Sequence, residues 1–319
     1  MRLNKQRGVA VITALLLCTL AVSIVASLFW QQQVQVRSME NQRLQLQTKW
    51  ILRGALDWAR LVLQTAGSQG DGVTSLNDVW NTPLAETRLD QYIERERIEG
   101  EVFDATLSGR VIDAASRYNL RLLATGPQLE SEQIRIYGNL LRVLQVDPLL
   151  AKRTADYMVS THTPTPEVGK TTPPVKSLPV AISRVEDLLA IPGYTPEIVA
   201  KLRDFVIVLP LATGTANKHG VNVNTASAEV LAAVIGNMSL SEAQSLVAAR
   251  KTAYFRTLPA FTAKLDSIGK KAIDPNSLTV GSQFFLVQSR IRLDRANLDT
   301  EALVERLAAS TTVLTIRQN

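Results

Sequence analysis

Catalysis by side chains needs a proton carrier near neutrality, an activated nucleophile or a metal cage, and this 319-residue chain offers few of these. Its two histidines are His162, in a proline-rich run, and His219, beside Gly220. Neither has a partner at a spacing that would make it a base or a ligand. The single cysteine, Cys18, lies inside an apolar run, so there is no internal disulfide and no thiolate pair for zinc. No Gly-x-Ser-x-Gly, phosphate-cradling glycine loop or His-Glu-x-x-His occurs. Glu94, Glu96, Glu99 and Glu101 surround Arg95 and Arg97 and read as a charged face ahead of a strand. The sequence therefore reads as a protein that is not an enzyme.

The chemistry that the sequence does signal is chemistry done to the chain. Arg2, Lys5 and Arg7 form a short basic leader ending at Gly8, and from Val9 to Trp30 there follow 22 residues without a charge, proline or glycine. At helical rise that run covers about 33 Å, the thickness of a bilayer core. The positive flank puts the N-terminus in the cytoplasm and everything after Trp30 outside it. Three fates compete for the segment. A signal peptide could be cut near Ala21-Val22-Ser23, although apolar sequence continues beyond that point. The segment could stay as a plain uncleaved anchor. Or the junction Lys5-Gln6-Arg7-Gly8-Val9, where a basic leader ends in glycine and the apolar helix begins at once, could be cut after Gly8, leaving the helix on the mature chain.

The elements behind this junction have to carry it. With 46% hydrophobic and 20% charged residues the chain can bury a core, in about two folded units after the N-terminal segment. The net charge is +6, and losing the leader's three positive charges leaves +3, only weak support for nucleic acid or anionic lipid. No glycine or proline interrupts Val9 to Arg53, which permits one helix of 45 residues. From Ile51 an amphipathic pattern begins, with Ile51, Ala55, Trp58 and Val62 on one stripe and Leu52, Leu56, Ala59 and Leu63 beside it. Gly67 to Gly72 ends the helix, and a polar connection runs to about Ile98. Ile98–Leu107 and Val111–Ser116 read as strands joined by a Ser108-Gly109 turn. Phe284–Leu293 and Thr311–Arg317 read as two more, with a helical stretch over Thr300–Ala309 between them. The middle is mainly helical, with helices over Glu130–Leu144 and Leu149–Tyr157, a proline loop from His162 to Pro179, and a turn at Ile191-Pro192-Gly193 that leads into a helix capped by Thr195.

The leader junction resembles a type IV prepilin leader, and the long helix running on into a soluble head resembles a pilin spine. Arg110 to Leu122 with its Tyr118-Asn119-Leu120 step, the Ile-Pro-Gly turn, Leu209-Pro210 and Asn222-Val223-Asn224-Thr225-Ala226 are similar, in that order, to segments of the minor pseudopilin K family of type II secretion systems. That resemblance spans nearly the whole chain. It implies an α+β fold: a long membrane and spine helix packed on a small antiparallel pseudopilin sheet, with a large, mainly α-helical domain inserted in the sheet. The divisions it suggests are leader 1–8, transmembrane helix 9–30, spine continuation 31–66, first part of the α/β domain 67–123, inserted helical domain 124–279 and second part of the α/β domain 280–319. The resemblance also implies prepilin-peptidase cleavage between Gly8 and Val9 with methylation of the new terminus. Most pseudopilins carry glutamate at mature position five; here that position is Thr13, and the K family is the branch that lacks the acid.

Implied partners are the I-type and J-type minor pseudopilins, the major pseudopilin, the prepilin peptidase and inner-membrane lipid, with the head in the periplasm. Calcium is the one cofactor that the family suggests, but its acidic region follows the segment that here ends near Asp156, and this chain continues Tyr157-Met158-Val159-Ser160-Thr161-His162 instead. No calcium ligand is therefore assigned. The rival is a membrane-anchored helix-hairpin-helix DNA-binding protein, since the helix-turn-helix stretches also resemble such modules. Gly193-Tyr194-Thr195 and Gly236-Asn237-Met238 both lack the second close-approach glycine, and Lys201, Arg203, Arg250 and Lys251 are the cations that would meet phosphates. No nucleic acid is expected.

Overall fold

The computed structural model describes residues 7–69, 71–90, 104–161, 179–210 and 220–318. One helix, α1 (Arg7–Gln69), takes the first 63 of them and is about 95 Å long. Nothing in its sequence stops it. Gly54 costs a helix interior roughly 1 kcal/mol relative to alanine, too little to break so long an element. Just beyond the helix Gly72 takes a φ of +76°, which suits glycine.

Five antiparallel strands form the sheet: β1 (Leu84–Arg88), β2 (Ala105–Asp113), β3 (Phe284–Leu293), β4 (Ala296–Arg306) and β5 (Thr311–Gln318), neighbouring one another in chain order. The β2–β3 pair joins segments from the two sides of the middle of the chain, in a register that runs from Ala105↔Leu293 to Asp113↔Phe285. On one face Phe285, Val287, Ile291, Ala302 and Val304 meet Leu52, Leu56, Ala59 and Leu63 of α1. Each fully buried side chain of this size contributes roughly 1.5–3 kcal/mol, so the amphipathic end of α1 is held by the sheet and not by its own propensity. Trp80 closes the cluster, its ring edge-on to Phe285 at 5.4 Å between centroids.

Three readings of the sheet need correction. No turn forms at Ser108-Gly109: β2 runs straight through both and pairs with β3 along its length. Gly109 is there for closeness, since a Cβ would come within 2.6 Å of the Gln288 carbonyl oxygen. Thr300–Ala309 is not helical; β4 covers most of it, burying Thr300, Ala302 and Val304 alternately against the cores. Its alanine, leucine and glutamate favour a helix locally, and packing between two strands overrides that preference. The polar connection before Ile98 contains a short 3-10 turn at Val79–Asn81 and the edge strand β1. The proposed strand start at 98–103 lies outside the described residues, as do Glu94, Glu96, Glu99 and Glu101, both histidines and most of the proline loop.

Between β2 and β3 the chain forms a helical body with its own core, running from Tyr118 to Leu278. Its helices are α2 (Ser131–Val143), α3 (Leu149–Ser160), α4 (Pro196–Leu202), α5 (Ala228–Val234), α6 (Leu240–Thr252) and α7 (Leu258–Ser267). The expected cap at Thr195 is present, its hydroxyl accepting from Ile198 N, and Ser239 likewise accepts from Glu242 N while Glu242 returns the bond to complete a capping box. Val185–Ala190 is a 3-10 turn, cut short by Pro192 and Gly193. The second face of the sheet meets this body through a smaller cluster of Ala114, Ile207, Leu209, Phe284 and Leu286.

Candidate functional site

The surface with most to explain is α1. Among the described residues it is the one helix long and apolar enough to cross a membrane. Val11, Leu15, Leu20, Ile24, Phe29 and Trp30 all project away from the rest of the protein. Side chains of this kind need lipid or another helix around them. Three hydroxyls of its apolar part bond within the helix: Thr13 Oγ1 donates to Ala10 O at 3.0 Å, Thr19 to Leu16 O and Ser23 to Thr19 O. Position 13 is thus a polar residue whose own helix supplies its partner, where a carboxylate would need an outside cation. Arg7, Gly8 and Val9 form the first turn of α1, while Arg2 and Lys5 lie outside the described residues.

Past the apolar segment, α1 shows two faces. Leu52, Leu56, Ala59 and Leu63 are buried on the sheet, as the sequence pattern predicts. The neighbouring stripe is less buried than expected: Trp58 is 50% exposed and joins Leu46, Trp50 at 67% and Leu61 on the outward side. Gly54 lies one turn from each tryptophan, and a Cβ placed there would have no neighbour within 4 Å. Arg53 holds its guanidinium 5.7 Å from the Trp50 ring centre. Beside this stripe an apolar groove of about 860 Å³ opens between α1 and the β1–β2 edge, lined by Trp50, Trp58, Val79, Leu84, Leu107 and Val111. Sequence reasoning missed this groove because β1 was not recognised. The i, i+4 repeat Leu46, Trp50, Gly54, Trp58 was the available signal.

The turns that suggested phosphate binding point inward. Gly193 adopts φ +104°, and a Cβ on it would come within 2.7 Å of Arg153 Nη1 and 2.8 Å of Leu150 Cδ2, so this turn is packed on α3. The Tyr194 amide donates to Ile191 O, and its hydroxyl joins those of Tyr137 and Thr154 at 2.9 and 2.7 Å. Ile235–Gly236 pairs with Lys271–Ala272, and Met238 is buried. Of the four cations, Arg250 is buried and donates to Val223 O at 2.8 Å, with burial pushing its guanidinium down to about 10. Arg203 pairs with Glu186 at 3.0 Å, leaving Lys201 and Lys251 on the surface.

Asp156 marks the place after which the acidic region implied by the resemblance would follow. Asp156 is paired with Lys152 at 2.7 Å, and residues 162–178 lie outside the described set. Among the described residues no group of three or more His, Cys, Asp or Glu is placed to hold an ion.

Two family profiles, each described as type II secretion system (T2SS), protein K, match the chain in succession, over residues 116–211 and 221–281. The chain is 28% identical to "Type II secretion system protein K" of Pseudomonas aeruginosa over 313 residues, covering 90% of this chain and 85% of the relative. The Pectobacterium carotovorum protein of the same name is 23% identical over 94% of this chain and 93% of its own length. Among solved structures, a chain of the GspK-GspI-GspJ complex from the enterotoxigenic Escherichia coli Type 2 Secretion System shares the fold. The TM-score is 0.64 at 16% identity, covering 89% of this chain and 99% of that one.

Proposed function

We infer that this chain, which belongs to the type II secretion system protein K family, works as the tip subunit among the minor pseudopilins of its system. One observation carries the reading: a single unbroken helix is lipid-suited at its start and is the buried spine of a sheet at its end. A cleavable signal peptide or a detached anchor has no need of such continuity.

On this reading the leader Arg2, Lys5, Arg7 stays cytoplasmic, a prepilin peptidase cuts between Gly8 and Val9, and the helix remains in the inner membrane with the head in the periplasm. Its apolar segment packs laterally on helices of companion subunits, where small side chains and close contact supply the attraction that lipid does not. Thr13 at mature position five brings no carboxylate to that packing, which suits a subunit that needs to pair with neighbours on one side only. The outward stripe Leu46, Trp50, Gly54 and Trp58 continues the same surface into the head. A similar chain is found in a complex with GspI and GspJ, which supports I-type and J-type partners here. The major pseudopilin below them would be the filament that this assembly starts. The role is structural and not enzymatic, and no calcium or nucleic acid enters it.

Sequencing the N-terminus of membrane-extracted protein tests the reading, with Val9 as the expected first residue. A start near Ile24, or an intact Met1 in cells with active prepilin peptidase, would refute it. Copurification with two other minor pseudopilins is expected, and a monomer that ignores them would count against the assembly role.

A further inference from the structure

The Asn222-Val223-Asn224-Thr225-Ala226 motif has no part in the membrane or assembly reading, yet all five residues are buried. Three of them are explained inside the helical body. Val223 and Ala226 fill its core, and Asn224 bonds Phe255 with both ends of its amide, accepting from its N–H at 2.8 Å and donating to its carbonyl at 2.9 Å. Asn222 and Thr225 point out of the body, toward the sheet. Thr225 Oγ1 donates to Asp113 Oδ2 at 2.6 Å and Asn222 Nδ2 to the same oxygen at 2.9 Å.

Asp113 is the last residue of β2 and is itself buried. Its Oδ2 takes a third bond from Ser282 Oγ at 2.7 Å, and its Oδ1 accepts from Ala115 N at 2.8 Å. The Asn222 amide also reaches the Thr74 carbonyl at 3.0 Å and Ser282 Oγ at 2.9 Å. Arg306 of β4 donates to Thr74 Oγ1 at 2.9 Å and to Ser282 O at 3.0 Å, and its guanidinium lies 4.6 Å from the Phe285 ring centre. The strand entering the body, the strand leaving it and the exit from α1 therefore meet at one point. Gly281 is pressed so closely on Gly72 there that a Cβ would collide with the Gly72 carbonyl oxygen. Away from this point the body also meets the sheet through the small cluster of Ala114, Ile207, Leu209, Phe284 and Leu286, and next to it a cleft of about 500 Å³ stays open between Arg117, Arg184 and Glu301.

We propose that Asp113, Asn222, Thr225 and Ser282 are positioning residues that form a latch, setting the angle at which the helical body stands on the sheet and hence on the spine helix. A carboxylate held by four donors from three separate passages of chain has one arrangement that satisfies all of them, and any tilt of the body leaves buried donors unpaired. The apolar cluster, being non-directional, has no such preference. The motif is thus read as three residues that serve the body, Val223, Asn224 and Ala226, and two that fasten it, Asn222 and Thr225.

Double electron–electron resonance on the detergent-extracted full chain tests this, with spin labels at Ser241→Cys on the body and Ser310→Cys beside the sheet, in a Cys18→Ser background. The unaltered latch is expected to give one narrow distance distribution. Asp113→Asn, which turns an amide N–H₂ toward the donors, and Thr225→Val are both expected to broaden or shift it while the far-UV circular dichroism is kept; Thr225→Ser is expected to restore it. An unchanged distribution in Asp113→Asn and Thr225→Val would overturn the proposal. So would loss of helical signal in both, since the contacts would then be part of one common core and not a latch. If Asp113→Asn alone fails to fold, Thr225→Val against Thr225→Ser decides.

Discussion

Replacing Gly109 by alanine separates two readings of the same residue by the sign of its effect. If Ser108-Gly109 were a surface turn, alanine would be neutral there, or would raise stability by about 0.4–1 kcal/mol by narrowing the unfolded ensemble, provided φ is negative. In the structure Gly109 sits mid-strand, paired with Ser289 on one side and Leu84 on the other. A Cβ at 2.6 Å from Gln288 O is closer than van der Waals contact by about 0.8 Å. β2 cannot retreat from β3 by that amount without pressing on β1, so the strain stays in the ladder. Overpacking of this kind costs about 1–3 kcal/mol. For a head of this size each kcal/mol is worth roughly 2–4 °C, which puts the expected loss at about 2–12 °C in melting temperature. Thermal unfolding of the detergent-extracted protein, followed by near-ultraviolet circular dichroism, measures it. A variant as stable as the parent, or more so, would refute the strand register around Gly109.

Leu63→Ala removes a fully buried side chain from the face of α1 on the sheet and is expected to cost about 2–5 kcal/mol, read as a drop in the urea midpoint. Trp50→Ala with Trp58→Ala, both on the outward stripe, is expected to leave the melting temperature within a few degrees of the parent while weakening copurification with companion pseudopilins; unchanged capture would remove that stripe from the interface. Glu242 is held down to about 2 chiefly by the backbone and hydroxyl of Ser239, with Lys270 adding to it. Because the folded value lies below the ordinary 4.5, its contribution is present above 4.5 and lost as pH falls toward about 2. Carboxyl NMR should therefore show the Glu242 midpoint rising in Ser239→Ala.

How much of the fold was legible depended on whether local pattern and tertiary packing agreed. They agreed along α1, where an unbroken run and an apolar stripe at helical spacing left one outcome, and at Phe284–Leu293, whose bounds were read to the residue. They disagreed in β4. Glu301-Ala302-Leu303-Val304-Glu305-Arg306 is good helix sequence, and only the partners on either side, β3 and β5, make it a strand. β1 was hidden for a related reason: an edge strand with Glu86 and Arg88 turned outward lacks the apolar run by which strands are recognised.

The functional surface divides along the same line. Its membrane half needs only composition and length, so Val9 to Trp30 declared itself. Its upper half depends on which turns of an amphipathic helix the sheet covers, and the sequence placed Trp58 one stripe too far inward because tryptophan reads as core wherever it stands. The Asp113 cluster was illegible for a stronger reason, since a lone aspartate at a strand end gives no sign that Asn222, Thr225 and Ser282 will converge on it. A contiguous motif such as Asn222 to Ala226 can therefore hold residues answering to two different surfaces. In this chain Asn222 and Thr225, three positions apart, answer to the sheet, so substitutions within the motif should split into those that melt the helical body and those that only loosen its seat.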